Sequence, residues 1–163
     1  MLRPSAPAIT SRNVERVRRT ISTPLILENI TTTVVVPESE MVEVEFLRAV
    51  LDQTGCGLLC DVTNLFTNAV NHGQDLRDLA ARWPWDRVVQ LHFAGGHWHD
   101  GALIDSHAHP SPPEVWALLE TAVAQAPVKG IVLERDENIP PFDELPGELE
   151  RARSIGRAFE RWA

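Results

Sequence analysis

A parallel α/β fold built like part of a TIM-type barrel is what this sequence predicts, and three observations predict it. Short apolar runs alternate with longer amphipathic stretches, the pattern of repeated β/α units. The runs are continuously apolar rather than alternating, as expected for strands buried on both faces. Each run ends in a carboxylate or an imidazole, and parallel β/α folds place their chemistry at the C-terminal ends of strands. Four such units make half of an eightfold barrel, so the expectation is one domain over residues 1–163.

The first unit opens with a helix over residues 11–21, for which Ser11 is a candidate N-cap. Pro24-Leu25-Ile26-Leu27 is the first strand, ending at Glu28. Ser39 is a candidate cap for a helix over 40–53, where Val42, Phe46, Val50 and Leu51 fall at helical spacing and Gly55 is a natural stop. The second strand, Gly57-Leu58-Leu59-Cys60, ends at Asp61, with Asn64 three residues on. Two short helices follow, over 65–70 and 76–83, the second broken by Pro84. The third strand, Val88-Val89-Gln90-Leu91, ends at His92 and leads into a long loop over 95–113. A helix over 114–126 precedes the fourth strand, Gly130-Ile131-Val132-Leu133, which ends at Glu134. The last helix is expected over 142–162, with Pro146 tolerated near its start.

The bulk numbers narrow the function. The chain has 163 residues, 44% hydrophobic and 23% charged, which is globular composition. A net charge of −8 argues against a nucleic-acid surface, which needs clustered Lys and Arg, and suits a protein that gathers cations. No apolar stretch is long enough for a membrane span. The segment 1–20 carries Arg3, Arg12, Arg16, Arg18 and Arg19 without an apolar core, so it is no secretory signal; its arginines are expected on the solvent face of a helix. Cys56 and Cys60 are too far apart along one strand to bridge, which makes them reduced buried thiols and a reducing cytoplasm the expected location.

Glu28, Asp61, His92 and Glu134 stand at four strand ends out of four. One acidic residue there is ordinarily a cap or loop anchor. The set points to a metal site, and carboxylate with imidazole suits iron, manganese or zinc. Five of the six histidines fall between positions 92 and 109. Asp105 and His107 alternate, so an extended segment would aim both the same way. His97, His99 and His109 are ligands, substrate contacts or solvent-facing residues. Asp136 is open to three roles: second ligand, hydrogen-bond acceptor behind a ligand, or general base. Arg135 is expected in surface pairing, His72 in a structural role, Trp83, Trp85 and Trp116 in the core, and Trp98 as a substrate wall. Gly95-Gly96 reads as a turn, and no phosphate loop or serine elbow is present.

The motifs Leu27-Glu28-Asn29-Ile30, Cys60-Asp61-Val62-Thr63-Asn64, Asn71-His72-Gly73, Val89-Gln90-Leu91-His92-Phe93-Ala94-Gly95, Ile104-Asp105-Ser106-His107 and Leu133-Glu134-Arg135-Asp136 resemble a family long known only as a domain of unknown function. That family includes the iron oxygenase of methanobactin maturation and the enzyme of thiaglutamate biosynthesis, and the resemblance runs from about Asn13 to Gly156. It implies a xylose-isomerase-like barrel holding two or three irons. It also implies O2-dependent modification of a cysteine in a ribosomally made precursor peptide, aided by a peptide-presenting partner protein. By motif match Glu28, Asp61, Asn64, His92, Asp105, His107 and Glu134 are the metal set, with Asp136 near the reacting centre. Family members are nearly twice this length, and their first four strands supply further histidine ligands. The expectation is therefore a chain holding the last four β/α units: a truncated product, a mis-called start, one that pairs with a separate N-terminal half, or one that dimerises. Two other readings compete: a different metal-dependent barrel chemistry, sugar isomerase or endonuclease, and a non-catalytic half barrel acting as a scaffold.

Overall fold

A computed structural model describes residues 5–162 except 35, 36 and 38. In chain order it contains α1 (Ala6–Arg18), β1 (Ile26–Glu28), α2 (Glu43–Thr54), β2 (Gly57–Asp61), α3 (Val62–Asn71), α4 (Leu76–Arg82), a 3-10 turn (Trp85–Arg87), β3 (Val88–Phe93), β4 (His97–His99), β5 (Ala102–Ile104), α5 (Pro113–Gln125), β6 (Gly130–Leu133) and α6 (Leu145–Ala158). Strands β1, β2, β3 and β6 form one parallel sheet in that order. The fold is thus α/β with a four-stranded parallel sheet, compatible with part of a TIM-type architecture.

The side chains that point from the sheet toward the helices are the most apolar. Leu58, Cys60, Leu91 and Phe93 pack with Leu51, Leu65, Val115, Leu119 and Val123 in one core, which Leu27, Ile131 and Leu133 join from the outer strands. Each fully buried Leu or Val there contributes about 1.5–3 kcal/mol. The opposite face is wetter: Ile26 and Val132, on the two edge strands, are each 38% exposed. The alternation along each strand therefore separates a dry side from a side that carries Glu28, Asp61 and His92. The register slips between Leu58 and Leu59, so that Leu58 faces Val88 but Leu59 faces Gln90. A bulge of this kind re-aims the side chains that follow it.

Several helix boundaries differ from the sequence reading, each for a local reason. The first helix begins at Ala6, with a proline in its first turn, so Ser11 lies inside it and bonds Gln53 Oε1 at 2.9 Å instead of capping. Arg12, Arg16 and Arg19 are exposed as expected, Arg18 bonds Glu15 and the Thr54 carbonyl, and Arg3 lies outside the described residues. Helix α2 starts at Glu43, with Val42 rather than Ser39 at its N-cap, and stops at Gly55, whose φ of 67° only glycine adopts freely. The last helix spans only Leu145–Ala158. Trp83, Trp85 and Trp116 are buried, and Cys56 and Cys60 are free buried thiols, as expected. No helix among the described residues is long and apolar enough to cross a membrane.

The largest departure is the long loop. It holds an antiparallel hairpin, β4–β5, turned by Asp100 (φ 46°) and Gly101 (φ 80°). Two successive positive φ values make the primed turn that matches strand twist. Asn71, at the end of α3, pins the hairpin: its amide accepts from Leu103 N–H and donates to the Leu103 carbonyl, both at 2.8 Å. Gly95-Gly96 is no turn. It is a floor on which the segment from Ile104 to Pro110 lies: a Cβ on Gly95 would stand 2.2 Å from the His109 carbonyl oxygen, and one on Gly96 2.1 Å from that of Ile104. Replacing Gly95 with alanine must therefore lift this segment. The expected cost is about 1–3 kcal/mol in urea unfolding, the usual range for an overpacked site; an unchanged midpoint would mean that the close approach is not present.

Candidate metal centre

The strand ends are stitched together by side chains before any ligand is considered. Thr63 Oγ1 accepts from Ala94 N–H at 2.8 Å and lies 3.1 Å from the Ala94 carbonyl, tying the start of α3 to the end of β3. Glu134 N–H donates to the Phe93 carbonyl at 3.1 Å, extending the β3–β6 pairing by one residue. Asp61 caps α3: its Oδ1 accepts from Thr63 and Asn64 N–H at 2.7 and 2.9 Å. That leaves Oδ2 free of the cap.

On this frame the seven residues singled out by sequence come together. Glu28 is the last residue of β1 and Asp61 the last of β2; His92 is the penultimate residue of β3, and Glu134 directly follows β6. His92 Nδ1 lies 2.9 Å from Glu134 Oε1 and 3.5 Å from Glu28 Oε1. His107 Nε2 lies 3.0 Å from Asp105 Oδ1, and its Nδ1 is 3.3 Å from Glu134 Oε2 and 2.9 Å from Asp136 Oδ2. Two sets of ligand atoms converge closely, Glu28–Asp61–His92 and Asp61–His107–Glu134, with Asp61 common to both.

The contacts inside the cluster are short but badly aligned. His92 Nδ1, His107 Nε2, Asp105 Oδ1 and Asn64 Oδ1 are buried and have no hydrogen-bond partner. A buried polar atom without a partner costs about 1–3 kcal/mol. Three of these atoms, on His92, His107 and Asp105, also lie within 3.0 Å of another ligand-type atom of the cluster, and all four belong to residue types that bind cations. Neighbouring ligands around an octahedral ion with bonds of about 2.1 Å are about 3.0 Å apart, close to the spacings seen here. The donor set of carboxylate, imidazole and one amide oxygen, without thiolate, fits a hard or borderline divalent ion such as iron, manganese or zinc.

Electrostatics agree with a site that wants positive charge. Burial raises the carboxyls of Asp105 and Glu28, a shift that His107 and His92 respectively offset in part. His107 is lowered by burial but raised overall by Asp105, the Asp136 hydrogen bond, Asp61 and Glu134. Without a metal these three groups therefore give up their protons less readily than the free side chains do.

The segment that carries Asp105 and His107 is not extended. His107 adopts φ 53°, held by Asp136 N–H donating to the His107 carbonyl and by His109 N–H donating to Gly95 O, each at 3.2 Å. The two side chains meet because the backbone turns back, not because residues alternate along a strand. Asp136 is largely exposed and accepts a 2.9 Å hydrogen bond at His107 Nδ1, which leaves His107 Nε2 as the nitrogen facing Asp105.

The remaining sequence candidates fall elsewhere. His97 Nδ1 bonds Ser106 Oγ at 2.9 Å, its ring 5.7 Å from His109 and 6.5 Å from His99, and none of the three joins the cluster. Trp98 is 63% exposed on the hairpin. His72 has a structural role: its Nε2 lies 2.8 Å from the Thr32 carbonyl. Arg135 corrects the expectation of surface pairing. Its side chain is 5% exposed and bonds Glu148 Oε1 of α6 at 2.6 Å, because the residue between Glu134 and Asp136 points toward the helices. Two residues escaped the sequence reading. Gln90 Nε2 stands 3.3 Å from His92 Nε2, and Asn29 is fully buried among the ligands. Their signals were position: Gln90 is two residues before His92 on the same face, and Asn29 directly follows Glu28.

Residues 3–157 match the family described as RiPP precursor modification enzyme MbnB/TglH/ChrH. A UPF0276 protein of Rhizorhabdus wittichii is 46% identical over 126 residues, covering 77% of this chain and 45% of the relative. One from Caulobacter vibrioides is 39% identical over 158 residues, 97% of this chain and 54% of the relative. One from Pseudomonas aeruginosa is 42% identical over 151 residues, 90% of this chain and 52% of the relative. The chain spans about half the length of the curated relatives it matches. With a match over nearly its whole length, the chain belongs to the MbnB/TglH/ChrH family of RiPP precursor modification enzymes.

Proposed function

We propose that this chain carries most of the metal centre of an iron- and O2-dependent enzyme that oxidatively modifies a cysteine of a ribosomally made precursor peptide. The observation that carries the reading is the convergence of Glu28, Asp61, His92, His107 and Glu134, with Asp105 against His107 and with buried, unpartnered donor atoms on His92, Asp105, His107 and Asn64. These seven residues would hold the iron, and Asp61 belongs to both groups of converging ligand atoms. Bound iron would supply O2 activation and a binding site for the substrate thiolate, so that a C–H bond next to sulfur is oxidised. The chain's own part is to orient and to hold protons. Asp136 Oδ2 accepts a hydrogen bond from His107 Nδ1–H, which fixes the tautomer and leaves Nε2 as a ligand. Largely exposed, Asp136 is also placed to exchange a proton with substrate.

The core running from Val14 to Ala152 supports one domain over residues 1–163. Four sequential parallel strands with partly exposed edge residues support the finer reading of half a xylose-isomerase-like barrel. A second body, either an N-terminal half or another copy, would cover the wet face and complete the ligand set. The precursor peptide and a presenting protein are the proposed partners, and a cytoplasmic setting is the proposed location, which the two free buried thiols support.

Anaerobic reconstitution with Fe2+ tests this. The chain should take up at least one iron, and Asp61→Asn should weaken binding by roughly tenfold or more. Its loss should exceed that of Glu28→Gln, because Asp61 serves both ligand groups. Equal retention of iron by the Asp61 variant would sink the assignment.

The metal-free protein should also lose stability as pH rises. Asp105, Glu28 and His107 all have folded-state pKa values above their ordinary values of 3.8, 4.5 and 6.5. The folded state then binds more protons than the unfolded state, so stability falls with pH, first above the carboxyl values and again above 6.5. Urea midpoints between pH 5 and 8 should decline, and saturating metal should reverse the trend by displacing those protons. Midpoints of the metal-free chain that rise over this range would contradict the electrostatic account.

A further inference from the structure

We propose that Asn29 is a positioning residue for the metal centre, setting both the carboxylate of Asp61 and the amide face that Asn64 offers; this rests on the metal reading above. Asn29 is 2% exposed and sits where β1 has ended. Backbone pairing of β1 with β2 stops at Glu28 and Leu59, two residues short of Asp61, which on its other side still pairs with His92 of β3. The Asn29 side chain takes the place of the missing peptide group. Its Oδ1 accepts from Asp61 N–H at 3.0 Å and its Nδ2 donates to the Asp61 carbonyl at 2.9 Å. The Asp61 backbone is therefore gripped at both polar groups, and its carboxylate can turn only about its own side-chain bonds.

The Asn29 backbone does the second half. Its carbonyl accepts from Asn64 Nδ2 at 3.0 Å. That bond uses one of the amide's two N–H donors and turns the NH2 toward Asn29, so Oδ1, which is buried and unpartnered, faces the other way. A reversed amide would set two carbonyl oxygens face to face and aim an N–H at the cations. One residue thus fixes two ligands on β2 and α3 while its neighbour Glu28 supplies a third from β1. Neither Asp nor Ala reproduces this grip. Aspartate keeps the acceptor for Asp61 N–H but loses the donor to the Asp61 carbonyl, and alanine loses both.

The test is equilibrium binding of Co2+ to the 163-residue chain, read by its visible absorption bands, together with thermal unfolding of the metal-free protein. Thr54→Val is the control. It removes a comparable buried pair of hydrogen bonds, to Val50 O and from Cys56 N–H, near the other end of β2. Asn29→Ala and Asn29→Asp should each weaken Co2+ about 10–100-fold and alter the bands, as removing an orienting partner does. The control should lose stability yet keep affinity and spectrum. The Asp variant is decisive because it adds negative charge beside the site, which alone would tighten binding. If it binds Co2+ as tightly as the unaltered chain, with the same bands, Asn29 only holds the sheet together and the inference is overturned. An unaltered chain that binds no Co2+ overturns the metal reading itself, a separate result.

Discussion

Five carboxylates, Glu28, Asp61, Asp105, Glu134 and Asp136, stand within contact range of two imidazoles, and most of this cluster is shielded from water. Like charges this close cannot all be ionised without a cation among them. The rest of the local structure follows from meeting that constraint. In the metal-free state the constraint shows as carboxyls of Asp105 and Glu28 and an imidazole of His107 that bind protons more tightly than the free groups do; a divalent ion would meet it more completely, because each ion offsets two charges and satisfies several lone pairs at once. The misaligned short contacts are the trace of this choice: geometry suited to a shared cation is poor geometry for hydrogen bonds.

Holding such a cluster open requires a rigid frame, and the frame is built from neutral groups. Apart from the Asp61 cap on α3, amides and hydroxyls do the fastening: Asn29 on Asp61, Thr63 on Ala94, Asn71 on Leu103, and Asn68 on Thr32 N–H and the Ile30 carbonyl. A neutral peg grips backbone without adding to the repulsion at the site. Where a charge is used, it is turned away: Arg135 runs back to Glu148 on α6, and anchoring it there keeps Glu134 and Asp136 on the other side. Tight backbone contact over Gly95 and Gly96 completes the frame by laying the Asp105–His107 segment against the end of β3.

Much of this was legible in the sequence because strands and their ends obey simple rules. The four apolar runs became the four parallel strands within one or two residues, and the ligand-type residue at each end lies in or beside the cluster. What was missed depended on partners distant along the chain. Ser11 looks like a cap until Gln53, 42 residues away, is seen to take its hydroxyl. Arg135 looks like surface until α6 folds over it. The hairpin carried a local signal, Asp100-Gly101 between Trp98 and Leu103, but three-residue strands in a His-rich loop were too short to stand out from it. Asn29 carried only its position after Glu28, since its role shows once the paired sheet brings it to Asp61, 32 residues on.

The measurement closest to the central claim is X-ray absorption at the iron edge of the anaerobically loaded chain. The account predicts a first shell of nitrogen and oxygen only, at about 2.0–2.2 Å, with the outer scattering of imidazole and no sulfur. A sulfur scatterer near 2.3 Å would place iron on Cys56 or Cys60 rather than on the strand-end cluster, and would contradict it.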